Sequence, residues 1–517
     1  MTDETATVAR LSRRLVLQRQ TCEPMDDYYN GRQRLAFLAP EVREQIGDRL
    51  RPLVINWPRT IVDSVQRRSY VEGFRVSTGG TADDELWRIW QANDLDEWAQ
   101  LAFVDALVHR RSFMSVWNPD GGDTPRIAVE SELQMTVEYE PGTRIITAAL
   151  KRWQDGALQY ATLYRPDAVL RFCAPHAVVQ QFEFRPDGAA PLTAGGGVGP
   201  WQLEQRLPNP LGVVPVVPIV NRPRTNNLDG VSELHDVIPV ADAVNKLATD
   251  MMVTSEYHAT KRRWATGIEV PANPDNRVRL QAEVAAQWDN ATKGKTWLAG
   301  QGVTFGEFGE ASLSNFTAAI ELLTTQLAAI SGLPPHFLGV GTKNPASADA
   351  IRSSEATLVE RAREKHRAWG GALEQVMRLS IAARDGVRLD ALPPELSGME
   401  TIWRDPETPT EAQTADATIK LLAAGVIDLE AAQERMGLTP AQRSAISERR
   451  SLATATAATA DVSSRMDLAR SLQQNDGLSQ NASLAAVGLL QAAAANSPAP
   501  RKVIERDPAG NIVAIGG

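Results

Sequence analysis

The stretch NFTAAIELLTTQLAAISGLPPHFLGVGTKNPAS (Asn315–Ser347) decides how this chain is built. Ile320, Leu323, Leu327 and Ile330 recur at helical spacing and give the first half a single apolar stripe. Gly332 supplies the residue on which helices commonly stop, and Pro334-Pro335 cannot continue it. An irregular loop rich in Gly and Pro follows, and Ser347 is placed to cap a third, long helix reaching about Arg384. That helix carries Ile351, Leu358, Ala362, Trp369, Leu373 and Val376 on one stripe. Gly370 and Gly371 lie inside it and are expected to weaken or kink it.

Upstream, Val237, Val240, Val244, Leu247 and Met251 mark another helix after Gly230, with Pro239 tolerable only near its start. Between the two helices lies a small mixed segment, Lys261 to Ser312, with the strand-like runs RRWATGI, TWLAG and VTFGEF. Two helices that bracket an insert bring their outer ends together, so the insert sits at the tip of a helical hairpin. This predicts an elongated protomer rather than a compact enzyme with a central cleft.

Farther out, the first ~110 residues read as helical: Leu86, Ile89, Leu101, Val104 and Val108 share helical spacing, with Asp83, Asp84 and Asp94 as candidate caps. From about Phe113 to Val220, β-branched and aromatic runs alternate with the turn sequences NPDGG, EPGT, QDG and RPDG, which predicts mostly antiparallel sheet. TAGGGVGP (Thr193–Pro200) is a loop within it. After Thr408, helices are expected to end at Gly425 and Gly437, with Asp428 capping the second and Thr439-Pro440 starting a third. Beyond about Ala453 the chain is low-complexity Ala, Ser, Thr and Gln, with mobility expected past Asn496.

The chain has 517 residues, which implies roughly two to four structural modules. A net charge of −9 argues against a high-affinity nucleic-acid binder, yet it is compatible with DNA sliding past without sticking. Cys22 and Cys173 are the only cysteines; they form no disulfide framework or thiolate metal site, and a reducing compartment is expected. MTDETATVAR has no apolar core, so no secretory signal is expected. LGVVPVVPIV and SLAAVGLLQAAAA fall short of the ~20 apolar residues that span a bilayer, so a soluble protein is expected.

Little in the sequence points to catalysis. KGKT (Lys293–Thr296) lacks the glycine a phosphate loop needs five positions earlier, where Asp289 stands instead. The six histidines show no metal-ligand spacing, and no nucleophile elbow occurs. No catalytic residue, metal site or cofactor is therefore assigned. Basic residues mark two places. Lys261, Arg262 and Arg263 open the insert without neighbouring acids. Arg361, Arg363, Lys365 and Arg367 interleave with Glu360 and Glu364, which predicts a solvated, ion-paired helix face. Lys343 is the one charged residue between Gly332 and Ser347.

Four segments, in order, resemble the portal proteins of tailed phages, of the siphophage type found in phages of actinobacteria. YYNGRQRLAFLAPE (Tyr28–Glu41) is similar to their N-terminal signature. NPLGVVPVVPIVNRP (Asn209–Pro223) with the following DGVSELHDVIPVADAVNKLATDM is similar to their wing–stem junction. ISGLPPHFLG (Ile330–Gly339) is similar to the segment leading into their tunnel loop, and LLAAGVIDLEAAQERMGL to the start of their crown.

The resemblance implies an α+β protomer in which residues 1–230 form the wing, 231–258 and 314–332 the stem helices, 259–313 the clip and 333–347 the tunnel loop. Residues 348–407 are the long kinked helix returning to the wing, 408–455 the crown helices, and 456–517 the tail. It further implies a ring of about twelve copies around a channel at one capsid vertex. Double-stranded DNA passes through that channel during packaging and ejection, held weakly and without sequence preference. Implied partners are the major capsid protein, scaffold protein, terminase large subunit and head-completion or adaptor proteins, with no membrane. The implied location is the virion, after assembly in the host cytoplasm. Lys343 and Asn344, with Gly339 and Gly341 as pivots, are the implied DNA-contacting residues, and Lys261, Arg262 and Arg263 the implied terminase-facing ones. A packaging-associated NTPase and a non-channel head adaptor or scaffold are the competing readings.

Overall fold

A computed structural model describes residues 2–34, 53–76, 82–119, 121–183, 201–259, 263–266, 277–279, 281–282, 304–307, 313–340, 348–407, 411–439, 442–454, 456, 503–506 and 512–516. The chain divides into two compact units, Met1–Pro440 and Ala441–Gly517.

The first unit opens with α1 (Thr2–Asn30), whose Val8, Leu11, Leu15, Gln18 and Cys22 are buried along one stripe. α2 (Trp57–Gln66), α3 (Asp84–Ala92) and α4 (Leu95–His109) follow. Asp83 caps α3, accepting from the backbone N–H groups of Glu85 and Leu86 at 2.9 and 3.0 Å. Asp84 is the first residue of that helix. Asp94 precedes α4 in a left-handed backbone (φ 51°), because the chain turns sharply between two adjacent helices, and it makes no capping bond.

A three-stranded antiparallel sheet comes next, in the order β3 (Arg126–Ser131), β2 (Arg111–Trp117), β9 (Val216–Val220). Beside it lies a five-stranded antiparallel sheet: β4 (Met135–Tyr139), β5 (Ile146–Asp155), β6 (Leu158–Tyr164), β7 (Ala168–Pro175) and β8 (Gln202–Pro208). EPGT and QDG close its β4–β5 and β5–β6 hairpins, with Gly142 and Gly156 at positive φ, and RPDG lies outside the described residues. A short helix the turn pattern does not announce, α5 (His176–Glu183), follows β7.

Alternation along β2 joins the layers. Phe113 packs with Met135, Val137 and Ala149 of the five-stranded sheet, whereas Met114 and Val116 pack into the helical core. The far face of the five-stranded sheet is covered by α1 and α5, through Val8, Leu11 and Val179. Both sheets thus pack on two faces, except along β8, which is exposed at nearly every residue, and α1 touches the sheet core near its start and the helical core at Met25, Tyr28 and Tyr29.

After the sheets come α6 (Ile238–Ala259), with Pro239 in its first turn, and α7 (Ser314–Ser331), and these two helices pack against each other. The strands beyond them, β10 (Arg263–Thr266) and β11 (Thr304–Glu307), pair antiparallel. TWLAG, KGKT and TAGGGVGP lie outside the described residues.

The long helix is α8 (Ala348–Asp385), with Leu358, Ala362, Trp369, Leu373 and Val376 buried. Trp369 stacks on Phe103 of α4 with centroids 4.7 Å apart, and its indole N–H donates to the Val220 carbonyl at 3.1 Å. β12 (Glu400–Trp403) pairs antiparallel with β1 (Val71–Arg75), a strand within the expected helical region. Its partner lies over three hundred residues away, so local pattern alone could not reveal it. α9 (Glu411–Ala423) and α10 (Leu429–Arg435) end near Gly425 and Gly437, both at positive φ, and Asp428 caps the second by accepting from Ala431 N–H at 2.8 Å. In the second unit, residues 442–454 are helical, and Val503–Arg506 pairs antiparallel with Ile512–Gly516 in the segment read as low-complexity tail.

One buried ionic cluster ties α1 to the sheets. Arg111 and Glu132 are fully buried, and Arg111 Nε donates to Glu132 Oε1 at 2.9 Å. Arg111 also pairs with Asp229 and donates to Gln18 Oε1 at 3.0 Å. Burial pushes the Glu132 carboxyl up, and the neighbouring Arg111 and Arg110 offset part of that. Removing one member of such a pair strands the other charge, so Arg111→Met is expected to cost about 3–5 kcal/mol. Urea unfolding of the full chain measures this, and a loss below about 1 kcal/mol would mean that the cluster is not what holds α1 down.

Candidate functional site

A buried cluster of charged and polar residues lies where the α6–α7 hairpin is rooted. The segment Asn221–Val237 leads into α6. Gly230 takes a φ of +77°, and a Cβ there would stand 2.3 Å from the Asn221 carbonyl oxygen, so only glycine fits. The turn is held by Val231 N–H to Asn221 O, Glu233 N–H to Leu107 O and Ser232 Oγ–H to Val108 O at 3.0, 2.8 and 2.6 Å.

These bonds aim Glu233 into the interior, where its side chain has no exposure. Lys365 Nζ of α8 lies 3.0 Å from one carboxylate oxygen, Arg361 binds the other, and Asn221 Nδ2 donates at 3.1 Å. Burial alone would push the Glu233 carboxyl up, but Lys365 and Arg361 together hold it down at about 2. Burial lowers Lys365 in turn; the Glu233 carboxylate offsets part of that, and the nearby Arg361 cation adds to it. Two cations and an amide on a single carboxylate keep Glu233 ionised.

Arg361 also donates to the carbonyls of Ile330 and Ser331, satisfying the C-terminal end of α7 where the helix dipole is negative. Gly332 ends α7 at φ +66°, and a Cβ there would lie 2.9 Å from Arg361 Cδ. Beyond it a 3-10 turn, Pro335–Leu338, is anchored by buried Leu333 and Leu338 and closed by Gly339 at φ +79°. One side chain of α8 therefore reaches the segment before α6, the end of α7 and the root of the loop.

A model of the family described as "Phage portal protein, SPP1 Gp6-like" matches residues 10–442 of this sequence. The chain belongs to this portal family. It is 36% identical over 409 residues to the portal protein of Mycobacterium phage L5, covering 75% of this chain and 77% of that protein. It is 34% identical over 446 residues to the portal protein of Mycobacterium phage D29, covering 82% and 84%. Among solved structures it is similar to a chain in the neck of an empty gene transfer agent particle, with 14% identity, a TM-score of 0.45, and coverage of 74% and 89%.

For this portal-family chain the sequence-derived site residues fall as follows. Gly339 closes the 3-10 turn as described, whereas Gly341, Lys343 and Asn344 lie outside the described residues. Lys261 and Arg262 also lie outside them, and Arg263 opens β10 opposite Glu307. Gly370 and Gly371 sit within α8, which is helical throughout. Thr401 Oγ donates to the Gly370 carbonyl at 3.2 Å, while a Cβ on Gly371 would meet nothing within 4 Å. Among the described residues no group of three or more His, Cys, Asp or Glu side chains could hold a metal.

The basic face of α8 is divided. Arg363 pairs with Glu407 at 2.9 Å and Arg367 with Glu360 at 3.1 Å at the surface, as the interleaved charges suggest. Arg361 and Lys365 turn inward instead, because Lys365 lies on the same stripe as Leu358, Ala362 and Trp369. That position is the signal that could have flagged it. Glu233, flanked by buried Ser232 and Leu234, carried no comparable mark.

The acid dependence follows in sign. A folded value of about 2, below the ordinary 4.5, means that Glu233 contributes fully above pH 4.5 and loses its contribution as pH falls towards 2. Glu233→Gln is expected to destabilise by about 3–5 kcal/mol at neutral pH. Urea unfolding from pH 7 to pH 3 should show that gap narrowing below 4.5; a gap independent of pH would contradict an ionised Glu233.

Proposed function

We propose that about twelve copies of this portal-family chain close into a ring at one capsid vertex, forming the channel for double-stranded DNA during packaging and ejection. Supporting this reading most directly is the packed α6–α7 pair with antiparallel strands beyond it, in a chain whose family match runs from residue 10 to 442. In this reading residues 231–258 and 314–332 are the stem and 259–313 the clip. Residues 1–230 are the wing, 333–347 the tunnel loop, 348–407 the long kinked helix returning to the wing, 408–455 the crown and 456–517 the tail. Copies assemble in the host cytoplasm with scaffold and major capsid protein. The clip, through Lys261, Arg262 and Arg263, receives the terminase large subunit and later the head-completion or adaptor proteins. The conduit performs no catalytic step and needs no cofactor.

The net charge of −9 suits a passage from which DNA must be released, since a strongly basic channel holds DNA by counterion release. Lys343, repeated around the ring with Asn344, supplies weak, salt-screened phosphate contacts. Gly339 and Gly341 are the pivots on which the loop moves, and Gly370 and Gly371 are where α8 bends as its two ends tilt. Negative-stain imaging of the purified full chain is expected to show closed rings. A protein that stays monomeric at every salt and protein concentration, with no ring in capsids, sinks the proposal. Lys343→Glu is expected to leave rings intact and to change packaging rate or DNA retention; unchanged packaging would leave the lysine without an electrostatic role.

A further inference from the structure

A groove of about 660 Å³ lies along the open edge of β9, away from β2. Val216 and Pro218 of β9, Ile145 of the β4–β5 turn and Gly371 and Ala372 of α8 line it. It is apolar, and Ile145 at its mouth is 63% exposed. Arg144 and Arg224 also line it, both exposed, and neither has an ion-pair partner among the described residues.

Elsewhere on the same unit, α4 presents an unpartnered face. Trp98 and Leu101 are 49% and 48% exposed, an unusual exposure for a large aromatic beside an aliphatic one helical turn on. Asp94 and Glu97 flank them, exposed, without an ion-pair partner among the described residues. The two surfaces match in character: an apolar groove bearing two unpaired cations, and an apolar helix face bearing two unpaired anions.

They also face apart. Phe103 of α4 stacks on Trp369 of α8. At 3.6 residues per turn, Trp98 and Leu101 point roughly 140–160° away from Phe103, and Gly371 and Gln375 roughly 120–160° away from Trp369. Surfaces that are complementary and point apart cannot meet within one chain, but they join successive copies head to tail. A head-to-tail contact closes into a ring when its rotation allows.

We propose that the β9–α8 groove is the seat for a second copy of this chain. The Trp98–Leu101 face of the neighbouring α4 lies against Gly371, with Asp94 and Glu97 opposite Arg144 and Arg224. This rests on the ring reading above and adds the contact that builds the ring. The bare Cα of Gly371, which leaves open space where a side chain would stand, is the floor that admits the indole.

The test uses the full chain, with assembly read by mass photometry and negative stain and folding by circular dichroism and urea unfolding. Trp98→Ala and Gly371→Leu are each expected to give roughly thirty-fold less ring at a fixed protein concentration, the loss typical of a buried interface tryptophan. Both should keep wild-type secondary structure; leucine is the better helix former at position 371, so misfolding does not explain its defect. Glu97→Arg should weaken assembly, and combining it with Arg144→Glu and Arg224→Glu should restore it. Trp98→Cys with Gly371→Cys should give a ladder of cross-linked multimers under oxidation. If wild type forms rings while these variants assemble normally and no ladder appears, the seat is elsewhere and this proposal falls alone. If wild type forms no ring, the ring reading falls and takes this one with it.

Discussion

The constraint on which the rest of this structure depends is a short one: Asp229 and Glu233, four residues apart, must each meet buried cations from opposite sides of the fold. Asp229 pairs with fully buried Arg111, which is bound to Glu132 and to Gln18 of α1. Glu233 pairs with Arg361 and Lys365 of α8. The turn at Gly230 lies between them and tolerates no side chain. A buried charge without its partner costs several kcal/mol. The chain entering α6 therefore has one register against both the sheets and the long helix.

Arg361 extends that constraint to α7 through the carbonyls of Ile330 and Ser331. The residues before α6 and after α7 are thereby fastened to the same side of α8. Everything between them, the helical hairpin and its strand pair, leaves and returns through one ionic junction. A stiff junction of this kind couples the base of the hairpin to the long helix. The low-dielectric setting makes each member sensitive to loss of another.

The aromatic stack of Phe103 on Trp369 plays the complementary, apolar part. It holds α4 against α8 and the Val220 carbonyl of β9 against the Trp369 indole. By fixing which sides of α4 and α8 face inward, it also fixes which sides face out. The exposed Trp98 face and the Gly371 groove are consequences of how the core is paired, and both carry charge without an ion-pair partner among the described residues.

Much of this architecture was legible in the residues. Helical spacing located α6, α7 and α8; Gly332, Gly425, Gly437 and Asp428 marked ends and caps; turn sequences marked the antiparallel region. These signals are local, and local physics sets them. The pairing of β1 with β12 was not legible, because strand partners separated by hundreds of residues leave no mark on each other's composition. The inward turn of Lys365 was legible only from its place on the apolar stripe of α8, and that of Glu233 not at all: an alternating run of acids and bases describes a solvated face until a buried carboxylate from another segment stands opposite it. The sequence by itself determined the order of elements and the likeness to portal proteins. The tertiary structure alone decided which charges are buried, since burial depends on what the rest of the chain places over a residue rather than on the residue itself.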